Sequence, residues 1–180
     1  MKIRVYLDNC TYNRPFDDQT QIKLSLEADA KRYIQLLILE KSIDLVCSYV
    51  NRFENNKNPQ YANKKAINEF FHNAVLYIDY TLSDVVEKRA ISIKQSGIKT
   101  VDAFHISCAL EGNCNYFITT DKLLLKFTNK DIIICDPIQF LDYLWRNIKC
   151  VILPLLWKKE SLFFLKALEF LKQNYSFLPY

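Results

Sequence analysis

Residues 1–21 read MKIRVYLDNCTYNRPFDDQTQ. Ile3, Val5 and Leu7 follow the pattern of a buried strand, and Asp8 arrives where that strand meets solvent. An aspartate in this position has two readings. It is a turn residue that stops a strand, or a carboxylate placed for chemistry, and only the rest of the chain decides between them.

Strand and helix signals alternate from this point onward. KIRVYL (2–7) reads as a strand, and apolar residues at Ile22, Leu26, Ala30, Tyr33 and Leu37 step at helical spacing from Thr20 to about Lys41. DLVCS (44–48) is a short strand, YVNRFEN (49–55) is helical, and the polar run NNKNPQ (55–60) is a loop. A helix from about Tyr61 to Phe71 leads into the strand AVLYI (74–78). Ser83 has the character of an N-cap for a helix that runs to Gly97. Thr100 opens a further helix ended by Gly112, followed by the strand YFITT (116–120), a helix from about Lys122, the strand DIIIC (131–135) and a helix starting at Pro137. Strands that are apolar throughout and separated by helices imply an α/β fold, a mostly parallel central sheet covered on both faces in three layers, α/β/α. In such sheets the ligand crevice lies beyond the carboxyl ends of the strands.

Composition narrows the function classes. The 180 residues are 50% hydrophobic and 24% charged, as in a globular chain, and the net charge of +4 permits a polyanionic partner without arguing for one. With two glycines in the chain, a Walker loop or dinucleotide fingerprint is excluded, and Gly97 and Gly112 read instead as helix C-caps. The six cysteines form no CxxC pair and read as reduced core residues. His105, Cys108 and Cys114 lack a fourth zinc ligand at a usual spacing. The start has no leader-like apolar segment, and VILPLLW (151–157) is too short to span a bilayer, so a cytoplasmic protein without membrane attachment is expected.

Carboxylates recur where the crevice rule directs attention. Asp8 follows the first strand, Glu54 lies on the helix leaving the second, and Asp121 follows YFITT; Asp102 sits in the first turn of a helix, where the dipole favours negative charge. Aspartates also cap turns and helices, so spacing leaves both readings open. Glu54 has no evident capping duty. If the acids converge, their mutual repulsion requires protons or cations, and oxygen ligands suit Mg²⁺ or Mn²⁺.

Four segments together, VYLDNC (5–10), SYVNRFENNKNP (48–59), TVDAFHISCAL (100–110) and YFITTDKLLLK (116–126), resemble the PIN-domain ribonucleases, including toxins of the VapC type. The resemblance covers roughly residues 1–145, and NRPFDD (13–18) is similar to one subgroup of the family. It implies a PIN-like domain over 1–148 whose metal site and catalytic acids are Asp8, Glu54, Asp102 and Asp121. The implied reaction is Mg²⁺- or Mn²⁺-dependent cleavage of RNA by water, none of the acids acting as a separate base because the metal lowers the pKa of its water. An antitoxin partner and a homodimer are expectations of the same kind, with an RNA-processing or decay nuclease, or a non-catalytic RNA- or protein-binding module, as alternatives. Asn9 and Cys10 depart from the family pattern, which has a threonine or serine after the aspartate.

Neighbouring residues divide between substrate and structure. Arg14 is a candidate phosphate contact or an ion-pair partner of Asp17 or Asp18, and Thr119 a candidate for orienting Asp121 or a water. His105 reads as a packed helix residue, Asn55 and Asn58 as loop formers, Asp17 and Asp18 as a solvated turn, and Lys57, Lys64 and Lys65 as candidate backbone contacts. A haloacid-dehalogenase reading needs a second aspartate at position 10, which is cysteine, and a receiver-domain reading lacks its lysine after a late strand. Beyond the resemblance, residues 149–180 form an amphipathic extension with a helix expected from Lys158 to about Asn174.

Overall fold

Five short strands, all parallel, form the centre of the protein: β1 (Arg4–Leu7), β2 (Asp44–Ser48), β3 (Leu76–Ile78), β4 (Tyr116–Ile118) and β5 (Ile133–Cys135), in the order β3-β2-β1-β4-β5. The structure is a computed structural model that describes residues 2–152, with side chains to residue 146. The chain divides into two compact units, Met1–Asp142 and Tyr143–Tyr180, and the sheet belongs to the first. The helix expected from Lys158 and most of the proposed 149–180 extension lie outside the described residues.

Among the described residues the α-helices are α1 (Asn9–Asn13), α2 (Ile22–Leu39), α3 (Tyr49–Asn55), α4 (Tyr61–Phe70), α5 (Ser83–Lys94), α6 (Thr100–Glu111) and α7 (Pro137–Ile152). Val5, Tyr6 and Leu7 are all fully buried, so β1 has protein on both of its faces. On one face Tyr6, Val46, Ile78 and Phe117 join Val86, Ala90 and Ile93 of α5 and Ala103, Ile106 and Ala109 of α6 in one core. The Tyr6 and Phe117 rings stack across the β1–β4 pair at 5.6 Å, as their register demands. On the opposite face Tyr12 of α1 covers Cys47, its hydroxyl 3.7 Å from the thiol, and Phe140 of α7 meets the Tyr116 ring edge-on at 5.1 Å. The three-layer α/β/α expectation therefore holds.

Strand order matters more than strand count. From β1 the chain steps outward one way through β2 and β3, then returns to β4 on the other side and continues to β5. The topological switch thus lies between β1 and β4, where neighbouring connections diverge and leave a crevice beyond the strand ends. Asp8 and Thr119–Asp121 follow those two strands, and Asp8 N–H donates to the Ile118 carbonyl at 2.9 Å.

Three local expectations change. Ser83 does not cap α5: Asp79 accepts the Thr81 N–H at 2.8 Å, starts a 3-10 turn at Tyr80–Leu82, and leaves Ser83 as the first α-helical residue. The helix expected near Lys122 is only a 3-10 turn at Leu124–Lys126, because Asp121 captures the Leu123 N–H at 2.6 Å and the polar run from Thr128 follows at once. Gly112 does end α6, but with φ −73 it needs no left-handed freedom, which Asn113 supplies at φ 52. Its glycine identity comes from packing, since a Cβ there would lie 2.7 Å from Val46 Cγ1.

The buried Asn51 ties three elements together. It forms a capping box with Ser48 at the start of α3, its Nδ2 donates to Leu7 O at 3.1 Å and Asn9 Oδ1 at 3.0 Å, and its carbonyl accepts Asn9 Nδ2 at 3.1 Å. Replacing Asn51 by alanine removes a cap and leaves buried polar groups unpaired, which costs about 2–3 kcal/mol. Urea denaturation of Asn51→Ala should show that loss, while Lys65→Ala on the exposed face of α4 should fall within about 0.5 kcal/mol of the parent.

Candidate functional site

Asp8 is the N-cap residue of α1 by backbone geometry, yet its side chain caps nothing. Its carboxylate instead accepts hydrogen bonds from Thr119 Oγ1 at 2.7 Å and Cys10 Sγ at 3.0 Å. Asp8 is 5% exposed, so both contacts act with little competition from water. The departure at position 10, where cysteine stands, thereby acquires a physical account. Burial and the Asp8 charge push the Cys10 thiol up to about 12, so it keeps its proton and donates as a hydroxyl would.

Thr119 spans two of the acids. Its hydroxyl donates to Asp8 and accepts the Asp121 N–H at 3.1 Å, which fixes the backbone of Asp121 to the end of β4. Asp121 Oδ1 is engaged by Leu123 N–H. Glu54 is carried by α3, whose position relative to Asp8 is set by the Asn9–Asn51 amide pair, and its Oε2 lies 3.0 Å from His105 Nε2. Asp102 stands in the first turn of α6.

Asp8, Glu54, Asp102 and Asp121 line one cleft of about 370 Å³, together with Cys10, Lys99, Thr100 and Val101. Burial first, then the charges of Asp8 and Asp121, raises the Asp102 carboxyl from 3.8 to about 6, with His105 and Lys99 opposing the shift. The side-chain oxygens of Asp8 and Glu54 and a ring nitrogen of His105 lie within 4.8 Å of one another. An oxygen-rich, acidic lining fits a hard divalent cation, and Asp8, Glu54, Asp102 and Asp121 are the carboxylates of the cleft that could hold it.

The other candidates are placed differently. Arg14 lies 2.8 Å from Asp17 Oδ2 and 3.0 Å from the buried Glu27 Oε2; the second contact is an ion pair without a well-aimed N–H. These contacts direct the guanidinium to the loop and α2 rather than to the cleft. Asp18 holds the Thr20 turn, with Thr20 N–H at 3.0 Å. Asn55 is more than a loop former, because its amide ties α3 to Lys64 O and Asn68 of α4 at 2.9 and 3.0 Å. Lys64 is occupied by the Asn56 carbonyl and Lys65 faces Glu69, whereas Lys57 lies 3.9 Å above the Phe53 ring. Lys57 also lines a second groove of about 440 Å³ with Asn13, Phe16 and Asn58, and Cys10 and Glu54 line both it and the acidic cleft. Among the described residues the zinc combination does not assemble: Cys108 and Cys114 are buried free thiols.

Three neighbours of the acids, His105, Cys10 and Lys99, carry no site role in the sequence reading. His105 is fully buried and bonded at both ring nitrogens, to Tyr6 OH at 2.8 Å and to Glu54. Its spacing of three residues from Asp102 is the signal that places it on the site side of α6. Lys99, just before α6, is the lysine of the acidic cleft.

No protein-family model matches the chain, and no curated protein matches it. Among solved structures it is similar to FitAcB from Neisseria gonorrhoeae, at TM-score 0.47 and 18% identity over 74% of this chain and 97% of that one. It is also similar to VapBC2 from Rickettsia felis bound to a DNA fragment from their promoter, at TM-score 0.45 and 14% identity over 73% and 97%. At these values the likenesses decide nothing about chemistry, which rests on the residues themselves.

The raised Asp102 carboxyl has a defined consequence for the metal-free chain. Folding favours its protonated form, so the stability it permits is complete below about pH 4 and is lost as pH rises to about 6. Thermal melts in EDTA should find Asp102→Asn more stable than the parent at pH 7 and equal to it at pH 4.

Proposed function

We propose that the protein is a divalent-metal-dependent endoribonuclease of the PIN type, acting as the toxin of a toxin–antitoxin pair. The observation that carries the catalytic part is the meeting of four carboxylates from separate elements in one cleft at the β1/β4 switch. The choice of RNA as substrate and of an antitoxin as partner rests on the resemblance of the four sequence segments to that family.

The residues divide the work. Asp8, Glu54, Asp102 and Asp121 hold Mg²⁺ or Mn²⁺, while Thr119 and Cys10 keep the Asp8 carboxylate aimed. A cation held there supplies Lewis-acid stabilisation of phosphate charge and lets water act as the nucleophile near neutral pH. Lys99 offers a point charge to the phosphate beside the acids, and the groove containing Phe16, Lys57 and Asn58 gives the strand a path away from the cleft. Arg14 serves this arrangement through the loop that it pins.

Purified chain incubated with single-stranded RNA and Mn²⁺ should give cleavage that EDTA abolishes. Asp8→Asn, of nearly the same shape, should lower the rate at least about 100-fold without losing the circular-dichroism signature of the fold. Unchanged cleavage in that variant, or no cleavage by the parent with either Mg²⁺ or Mn²⁺, would sink the enzyme reading in favour of a binding module. The toxin role has its own readout. Expression of the parent should arrest growth where Asp8→Asn does not, and co-expression of the product of an adjacent reading frame should restore growth.

A further inference from the structure

A continuous line of polar contacts runs from the core to the rim of the acidic cleft. Ser48 Oγ lies 2.6 Å from Tyr6 OH, Tyr6 OH 2.8 Å from His105 Nδ1, and His105 Nε2 3.0 Å from Glu54 Oε2. Ser48, Tyr6 and His105 are fully buried, whereas the Glu54 side chain is 40% exposed. None of the three buried groups has a water-facing alternative, so their protons must be shared among themselves and their few neighbours.

Counting donors leaves two orders for the neutral ring. An ionised carboxylate only accepts, so Glu54 requires the proton of His105 on Nε2. Nδ1 then carries a lone pair and takes the Tyr6 O–H, and the tyrosine oxygen in turn takes the Ser48 O–H. Ser48 still accepts the Asn51 N–H at 3.4 Å. The reverse order puts the proton on Nδ1, turns the Tyr6 O–H toward Ser48, and sends the Ser48 O–H to Asn51 Oδ1 across 3.4 Å. It replaces a short contact by a long one and sets a bare ring nitrogen against a carboxylate. It also frees Nε2 to act as a ligand beside Glu54 and Asp8, which is the competing role that their proximity suggests.

We infer that His105 is a positioning residue for Glu54, fixed as its Nε2–H tautomer by the ordered donors Ser48, Tyr6, His105, and is not itself a metal ligand. The ring nitrogen holds Oε2 and thereby sets the rotation of a carboxylate that stands on a short, partly exposed helix. Tyr6 explains why a strand facing the core spends a hydroxyl there: it carries the tautomer choice from the Ser48–Asn51 cap to the cleft. The metal-related role rests on the proposed metal centre, but the tautomer does not.

The chain has two histidines, so ¹⁵N-histidine labelling resolves His105 from His72 once either is substituted. Long-range ¹H–¹⁵N correlation on the metal-free parent should show the proton on Nε2 of His105, unchanged at saturating Mg²⁺. A proton on Nδ1, or loss of the Nε2 proton as Mg²⁺ binds, would overturn the inference. Mn²⁺ titration followed by electron paramagnetic resonance gives the second readout. His105→Phe should bind Mn²⁺ about 10–100-fold more weakly, and His105→Gln, whose amide N–H occupies the place of Nε2, should recover most of that loss. Equal affinity in the phenylalanine variant, or equal loss in both, would overturn the positioning role. Should the variants fail to fold, the tautomer of the parent still decides. Absence of Mn²⁺ binding by the parent would remove the metal centre and the positioning role together, and is recognised apart from a wrong tautomer because it needs no labelled histidine.

Discussion

The side chain of Asn51 is the constraint on which the geometry of the site depends. It caps the helix that carries Glu54, holds the last carbonyl of the strand that delivers Asp8, and pairs with the amide of the residue after Asp8. Two acids that are 46 positions apart in sequence (54 − 8) are thus referred to one buried amide. Because that amide is fully buried, each of its bonds is made in surroundings where a broken one finds no water to replace it. Backbone pairing in the sheet fixes the strands; Asn51 fixes what leaves them.

Bringing carboxylates together is unfavourable in itself, and the protein distributes that cost unevenly. Asp8 receives a hydroxyl and a thiol proton, Asp121 receives the Leu123 N–H, and Glu54 faces His105. Asp102 has the least help and bears the raised carboxyl. Three of the acids therefore have fixed hydrogen-bonding partners, while burial and neighbouring charge raise the fourth, which is the pattern expected where a cation completes the arrangement rather than decorates it.

Much of the architecture was legible because parallel strands covered on both faces are written as continuous apolar runs, and because Asp8 and Asp121 directly follow two of them. What the residues could not show was the strand order. Placing β4 beside β1 is what turns two separate strand ends into one crevice, and no local pattern encodes that neighbour choice. Helix limits near Ser83 and Lys122 were misjudged for a common reason: Asp79 and Asp121 bind the N–H two positions ahead, a side-chain choice that competes with the helix and leaves no periodicity behind. Asn9 and Cys10 looked like departures. Asn9 proves to be half of the amide clamp, and Cys10 supplies a proton from sulfur to Asp8.

The contact between Gly112 and Val46 lies at the opposite end of α6 from Asp102, ten residues away, or about 15 Å along the helix axis. Asp102 and His105 both ride on that helix, so the depth to which Gly112 sinks against β2 sets the angle of an arm whose tip carries an acid and the partner of another. The missing methyl is in this sense a mechanical adjustment. A chain atom absent from the core far from the chemistry defines how closely α6 may approach the sheet, and through that approach the spacing of charges at the cleft.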